Sequence, residues 1–523
     1  MKTLNFFQVF ILLIVLSSWG CEKSTINNHE EEEELPEGIT NAWADNPYKL
    51  NVVYFVPNDH DSVPDFRERI SRILLDGQLY FADNLEREGF GRKSFGLDLI
   101  SDTLVNIVKI IGDKGKSSYP YSGGGSAVQP EVEAYFTANP GLKKSEHYLV
   151  ILPSTSGDPM NPGGVPFYGQ GRFCYALDYD HMDAQYLGQS GALGDLATKW
   201  IGGLLHELGH GLNCPHNYGT ISATAEHGVA LMGSGNHTYG KGPTFITQTS
   251  AAIFASGQTF STETRSDWYE NFTFSLGTLN STFENGNITL TGEFTSEMNI
   301  NYVAAYFDPA PYGGNQDYDA ITFGTAALND NAFQLICPLS DFQKLEGVYQ
   351  LRIHFLGANG TRKTESFVFS FENDEPNLED VFKVPFNDRS AWSITASNEE
   401  SGLASRLLDG DVTTEWQPQW RASGPNHPHH FIVDMQASID FNTLMMYQRS
   451  NPDGNLKTFT FSTSVNGTNW TEIGTYTLPQ RTGPIQVPLE TTVSTRYVKV
   501  ETVDSYGGVR FTNLAEFDVY LRE

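Results

Sequence analysis

The sequence predicts a multidomain chain in which an α/β (α+β) domain is followed by two β-sandwiches. Three observations predict it. With 523 residues, the chain has room for about three domains of ~150 residues, each with its own core. Strand-like and helix-like patterns alternate between residues 43 and 260, the mark of mixed α and β architecture. From residue 263 onward, apolar residues recur in runs of strand length separated by Asn-Gly and Gly-Asn turns, as in a β-sandwich.

Composition narrows the function. Hydrophobic residues make up 39% and charged residues 18%, which excludes a disordered or coiled-coil chain. Acidic residues outnumber basic ones by 63 to 33, a net charge of −30. Such a surface offers no cation cluster for nucleic acid and repels anionic lipid; it serves solubility.

Residues 1–20 read as a cleaved signal. Lys2 gives a positive start, and Phe6 to Leu16 is apolar except for Gln8, too short a run to span a bilayer. Ser17, Ser18, Trp19 and Gly20 before Cys21 resemble the lipobox of bacterial lipoproteins. That resemblance implies lipidation of Cys21 and attachment to the outer membrane or cell surface; the alternative reading is an ordinary secretory signal and a secreted protein. Residues 21–42 carry Glu30 to Glu34 and read as an acidic, solvated tether. This stretch is similar to the surface-export signals of some Gram-negative lipoproteins.

The first folded block spans 43–260. Its elements are a strand at Lys49 to Val56, a helix at Phe66 to Leu85, a buried strand at His147 to Leu152, a Gly- and Pro-rich loop at Pro153 to Gly171, and a helix at Asp195 to Leu212. Beyond Cys21 the cysteines are Cys174, Cys214 and Cys337. An oxidising compartment permits one disulfide, with Cys174 and Cys214 the candidate pair.

The chemistry lies in His206-Glu207-Leu208-Gly209-His210-Gly211-Leu212-Asn213-Cys214-Pro215-His216. Leu196, Trp200, Leu204 and Leu208 recur every four residues and give the preceding helix an apolar face. His206 and His210, also four apart, project from one side of it and can hold one metal ion. Glu207, about 100° around the helix, reaches a water on that ion rather than the ion itself. Gly211 weakens the helix, Asn213 can end it in a left-handed conformation, and His216 returns as a third ligand. Three neutral nitrogens leave a position open for water, and Glu207 is the general base that takes its proton.

This run resembles the long zinc signature of the metzincin metallopeptidases, departing at Asn213, where that family usually has Gly. The resemblance implies a metzincin-like domain with catalytic zinc on His206, His210 and His216, and a Met-containing turn at Met232. Ser234 stands where some members carry a metal-switching Tyr; Tyr218 and Tyr239 are the candidate donors left. Asp178, Asp180, His181 and Asp183 read as a solvated acidic loop or a second ion site.

Residues 263–373 read as an immunoglobulin-like β-sandwich. Its strands lie near Phe272 to Leu276, Ile288 to Gly292, Tyr302 to Phe307, Tyr349 to Phe355 and Ser366 to Phe371. It carries no evident chemistry and reads as a spacer or packing module. Asp374 to Asp380, acidic and containing Pro376, reads as a linker.

Residues 381–523 carry Leu407-Leu-Asp-Gly-Asp-Val-Thr-Thr-Glu-Trp416, Phe431-Ile-Val-Asp434, Ser464-Val-Asn-Gly-Thr-Asn-Trp470, Arg496-Tyr-Val-Lys-Val500 and Leu514-Ala-Glu-Phe-Asp-Val-Tyr520. Together these resemble the coagulation factor 5/8 type C (discoidin-like, galactose-binding-like) domains. The resemblance implies a jelly-roll β-sandwich, carbohydrate binding from loops at one end, and Ca²⁺ held by Asp409, Asp411, Thr414 and Glu516. Arg449, Asn455 and Tyr506 are the candidate sugar contacts.

The leading functional expectation is a monomeric, surface-anchored zinc endopeptidase whose tail binds carbohydrate on protein or glycoprotein substrates. The alternatives are a glycan-binding adhesin with a vestigial zinc site and a peptidase specialised for glycosylated peptides.

Overall fold

A computed structural model describes residues 43–309, 317–327, 331–378, 387–411, 414–449, 454–480 and 483–521. The signal, the tether with Cys21 and residues 379–386 around the start of the third block lie outside the described residues. Three hydrophobic cores order the rest.

The first core surrounds a largely parallel sheet. Its main strands are β1 (Lys49–Val56), β2 (Val108–Ile111), β3 (Tyr148–Pro153), β4 (Tyr168–Gln170) and β5 (Phe173–Asp178), in the spatial order β2–β1–β3–β5–β4. All these pairings are parallel except that of β4, an antiparallel edge strand on β5. β3 and β5 are buried at every position, as strands covered on both faces must be, and read as continuous apolar runs for that reason. The helices are α1 (Phe66–Arg87), α2 (Gly124–Ala138), α3 (Ala192–Gly211), α4 (Ile221–His227) and α5 (Gln248–Ala255). α3 buries Leu196, Ile201, Leu204, Leu205 and Leu208, the apolar stripe visible in the sequence. Among the described residues, no helix is long and apolar enough to cross a membrane.

The second core lies between two antiparallel sheets. β6 (Phe274–Glu284), β7 (Asn287–Ser296) and β10 (Ala332–Pro338) form one, in the order β6–β7–β10. β8 (Ile300–Pro309), β9 (Ile321–Ala326), β11 (Gly347–Gly357), β12 (Arg362–Glu372) and β13 (Glu375–Asn377) form the other, in the order β9–β8–β11–β12–β13. β8 explains why this module is more than a spacer. Val303, Ala305 and Phe307 enter its own core, whereas Tyr302, Ala304 and Tyr306 on the opposite face enter the core of the first module. The two-residue side-chain period thus yields an unbroken apolar run, because both faces are covered.

The third core is that of the C-terminal β-sandwich, with Trp416, Phe431, Leu444, Phe461 and Phe517 fully buried. Its strands are β14 (Ser393–Ala396), β15 (His430–Gln448), β16 (Leu456–Ser464), β17 (Thr471–Thr477), β18 (Gly483–Ser505) and β19 (Glu516–Tyr520). They run antiparallel in the order β14–β15–β18–β16–β17, with β19 on β15. The long strands β15 and β18 change register along their pairing.

The expected Cys174–Cys214 disulfide is absent: Cys174, Cys214 and Cys337 are all free and buried. The Cys174 thiol faces the Tyr148 carbonyl at 3.4 Å, and that of Cys214 faces the Ser250 hydroxyl at 3.3 Å. Each sulfur is therefore aimed at a different neighbour.

His147, just before β3, ties α3 to the connection between the first two modules. Its Nδ1–H donates to the Gly211 carbonyl at 2.7 Å, and its Nε2 accepts from the Tyr269 hydroxyl at 2.5 Å. Complete burial pulls its pKa down to about 4, so the folded chain holds it neutral, whereas the unfolded chain protonates it below about 6.5. The unfolded state therefore binds the extra proton, and this group's contribution to stability is present above pH 6.5 and lost as pH falls towards 4. Wild-type protein is expected to lose about 1.4 kcal/mol per pH unit from this group across that window. The stability gap between wild type and His147→Gln, measured by urea denaturation at pH 7 and pH 5, should accordingly narrow at the lower pH.

Candidate metal centre and carbohydrate groove

Backbone geometry at the end of α3 brings the three histidines together. Asn213 takes a left-handed φ of 68°, a conformation Asn tolerates well. The Asn213 N–H bonds the His210 carbonyl at 2.9 Å and the Cys214 N–H bonds the Gly209 carbonyl at 3.0 Å. This pair of bonds is a Schellman motif, which closes the helix and reverses the chain. His216 is thereby carried back over His210. The Nε2 atoms of His206, His210 and His216 lie 2.9–3.2 Å from one another. Such a triangle fits three ligands of one divalent ion, with bonds of ~2.0–2.1 Å.

Second contacts aim these nitrogens. His206 Nδ1–H donates to the Leu231 carbonyl at 2.7 Å, and His210 Nδ1–H to the Cys214 carbonyl at 2.8 Å. Both bonds leave Nε2 as the unprotonated nitrogen, the one free to ligate a metal. Burial, reinforced by the neighbouring imidazoles, lowers the pKa of His206 to about 3 and that of His210 to about 4, so both are neutral bases at pH 7.

Glu207 sits beside the triangle beneath β4. Burial raises its pKa to about 7, opposed by a hydrogen bond from the Gly169 backbone. A carboxyl balanced between protonation states near neutral pH can both take and return a proton. β4 crosses this closely because residue 169 is Gly: a Cβ there would lie 2.3 Å from His210 Cβ.

Met232, only 1% exposed, packs against the helix at Gly209. Gly209 admits it, since a Cβ at 209 would stand 2.3 Å from the Met232 sulfur. The preceding Leu231 supplies the carbonyl that orients His206.

Neither sequence-derived tyrosine serves the centre. Tyr239 is buried with its hydroxyl on Asp76 at 2.9 Å, and Tyr218 packs against the second core. The residue that does approach is Tyr318, which the sequence reading passed over. It comes from the middle module, and its ring stacks on His216 with centroids 3.8 Å apart. Burial raises the pKa of its hydroxyl, and the nearby Glu207 and Tyr121 add to the shift. With 102 residues separating it from His216, no local pattern could have revealed it. The acidic loop is not a second ion site: Asp178 binds Arg69 at 2.8 Å and the Tyr54 hydroxyl at 2.8 Å, and Asp183 pairs with Arg72 at 2.5 Å.

In the C-terminal module Asp409 lies near Glu516, but among the described residues Asp409, Asp411 and Glu516 do not bring their carboxylates within metal-sharing distance of one another. The Thr414 hydroxyl donates to Asp409 at 2.8 Å, and the Asp411 N–H donates to the other Asp409 oxygen at 2.8 Å. Glu516 is fully buried; desolvation, with Asp409 adding, raises its pKa to about 8 even though Arg389 lies 2.6 Å away.

The candidate sugar contacts are used internally. Asn455 is completely buried and bonds the Arg449 carbonyl at 3.4 Å. Arg449 itself pairs with Glu415 at 2.8 Å, and the Tyr506 hydroxyl donates to the Leu478 carbonyl at 2.8 Å. Beside those loops opens a groove of about 640 Å³ lined by Trp420, Asn426, His427, Arg510 and Phe511. Trp420 is 47% exposed, an aromatic face set among polar groups. Its sequence signal was the second Trp of the Trp416-Gln-Pro-Gln-Trp420 segment.

Residues 393–517 match the F5/8 type C domain family. The chain is 38% identical to OgpA from Akkermansia muciniphila, with a TM-score of 0.61, over 63% of this chain and 95% of that one. It is 37% identical to a catalytically inactive OgpA whose crystal structure contains an O-glycopeptide substrate, glycodrosocin, at the same TM-score and coverage. A galactose oxidase from Gibberella zeae is 28% identical over 142 residues, 25% of this chain and 20% of that protein. A sialidase from Micromonospora viridifaciens is 27% identical over 125 residues, 23% of this chain and 19% of that protein. The chain thus spans about a fifth of the length of these curated relatives.

Gly169→Ala should push β4 away from His210 or displace that imidazole. Zinc retained after dialysis against a weak chelator is expected to fall by ~10-fold or more. Gly163→Ala, where a Cβ meets nothing within 4 Å, should show no such fall.

Proposed function

This chain belongs to the same family as OgpA, and from that premise we propose that it is a zinc-dependent peptidase that cuts O-glycosylated peptides. The observation that carries the reading is the convergence of three imidazoles beside a protonatable Glu207, in a chain related to a protein crystallised with an O-glycopeptide.

His206, His210 and His216 are the residues that would hold the metal in a metzincin-like centre. Their donor set, all imidazole nitrogen, suits zinc, with a position left for a substrate or water. When bound, zinc supplies a Lewis acid and brings the pKa of a water towards ~7.

The protein's own groups do the rest. Among the described residues β4 pairs on one side only, with β5, so its outer edge can receive an extended peptide as an added strand. Glu207 takes the proton of the attacking water on its carboxylate and returns it to the leaving amide nitrogen. Tyr168 on β4 lies 6.3 Å, centroid to centroid, from the 59%-exposed Tyr121, and these rings offer faces for the apolar side of a sugar. A site that accepts the glycan itself is the feature separating a glycopeptidase from a general endopeptidase.

The tail raises the local concentration of glycosylated substrate. Its groove beside Trp420 offers an exposed aromatic platform for the apolar face of a sugar. Asp409, Asp411, Thr414 and Glu516 are proposed to hold a structural Ca²⁺, which would neutralise the buried Glu516 and its neighbour Asp409. Lipidated Cys21 is proposed to hold the enzyme at the cell surface.

Cut sites mapped by mass spectrometry on an O-glycoprotein should fall beside glycosylated Ser or Thr. They should vanish with a zinc chelator and after enzymatic deglycosylation of the substrate; persistence on the deglycosylated protein would point to a general endopeptidase instead. Glu207→Ala should retain zinc yet lose ~10³-fold or more in kcat, the scale of removing a positioned proton-transfer group.

Trp420→Ala should weaken binding to immobilised O-glycoprotein by ~10-fold or more, as loss of a stacked aromatic does. It should leave kcat on a short soluble glycopeptide unchanged.

A further inference from the structure

We propose that Tyr318 is a positioning residue for the metal centre, supplied by the middle β-module to fix the third ligand, His216. This rests on the zinc reading above and extends it to a second module.

His206 and His210 ride on a rigid helix, and each is aimed by a bond to a backbone carbonyl. His216 comes after the Schellman turn, on irregular chain. The middle module holds that segment in two ways. The Tyr218 N–H, two residues past the ligand, donates to the Ala320 carbonyl at 2.6 Å, and Tyr218 bridges to Ile321 in parallel fashion. Two residues before Ala320, the Tyr318 ring lies over the His216 imidazole, 3.8 Å between centroids and 26° between planes. It is also within 9° of parallel to the His206 ring, at 6.3 Å. The ligand segment and the turn before β9 therefore run side by side, with backbone held to backbone and ring to ring.

The turn presenting Tyr318 is itself braced. Asp317 adopts a left-handed φ of 69°, and its carboxylate grips the Arg352 guanidinium through two contacts, at 2.7 and 2.9 Å. Arg352 stands on β11, the strand next to β8 in the sheet that covers the first module. A bidentate pair of this kind sets direction as well as distance. The ring stack excludes water from one face of His216 and narrows its rotamers, which is how an outer residue tunes a metal ligand.

The experiment compares wild type, Tyr318→Phe, Tyr318→Leu and Tyr318→Ala in the full chain. The readouts are the rate of zinc release to a chelating dye, the melting temperature of the metal-free protein, and kcat and KM. Tyr318→Ala and Tyr318→Leu should release zinc ~10–100-fold faster, the usual scale for loss of an outer-shell partner. Their metal-free melting temperatures should stay near that of wild type, and Tyr318→Phe, which keeps the stack, should release zinc within ~2-fold of wild type. Wild-type release from Tyr318→Leu, or release from Tyr318→Phe as fast as from Tyr318→Ala, would overturn the inference. If the wild-type protein takes up no zinc, the reading in the previous subsection falls too; normal uptake with unaltered release from the variants removes only the role of Tyr318.

Discussion

Three imidazoles whose Nε2 atoms lie within 3.2 Å of each other form the constraint on which the first module's site depends. Buried nitrogen lone pairs at that separation repel unless a cation sits among them, and a proton on any of them would be costly to desolvate. The surroundings all serve that convergence. The apolar face of α3 anchors the helix, the Schellman turn at Asn213 returns the chain, and the Leu231 and Cys214 carbonyls select the tautomers. Two glycines make the approach possible: Gly209 admits Met232 and Gly169 admits β4. Each gives up helix or strand propensity for proximity.

The middle β-module belongs to this same structure. Because alternate residues of β8 enter two different cores, the module is packed against the first along the face of its larger sheet. That shared burial places the Asp317–Arg352 pair and Tyr318 where they meet the third histidine. A centre assembled from two modules is more exactingly positioned than one held by a single loop, since both sides rest on buried sheets.

The C-terminal module shows how a family signature and a ligand contact differ. Residues of the signature mostly build the sandwich: Trp416, Phe431 and Phe517 are core, and the Asp409 loop is held by its own hydrogen bonds. An exposed groove lies instead among loops that meet around Trp420, His427 and Arg510.

Local chemistry made much of this legible from the sequence by itself. The strand at Lys49–Val56 and the start of α1 at Phe66 appear where the pattern put them, because hydrophobic period reflects the covered face. Spacing alone indicated the His206, Glu207, His210 and His216 cluster, since a helix turn and one left-handed residue are short-range geometry. Only the tertiary structure decided which cysteines meet, whether Asn455 faces solvent, and that Tyr318 reaches His216. Those outcomes depend on how sheets pack across more than a hundred residues of chain, and no residue's own neighbours in sequence carry that information.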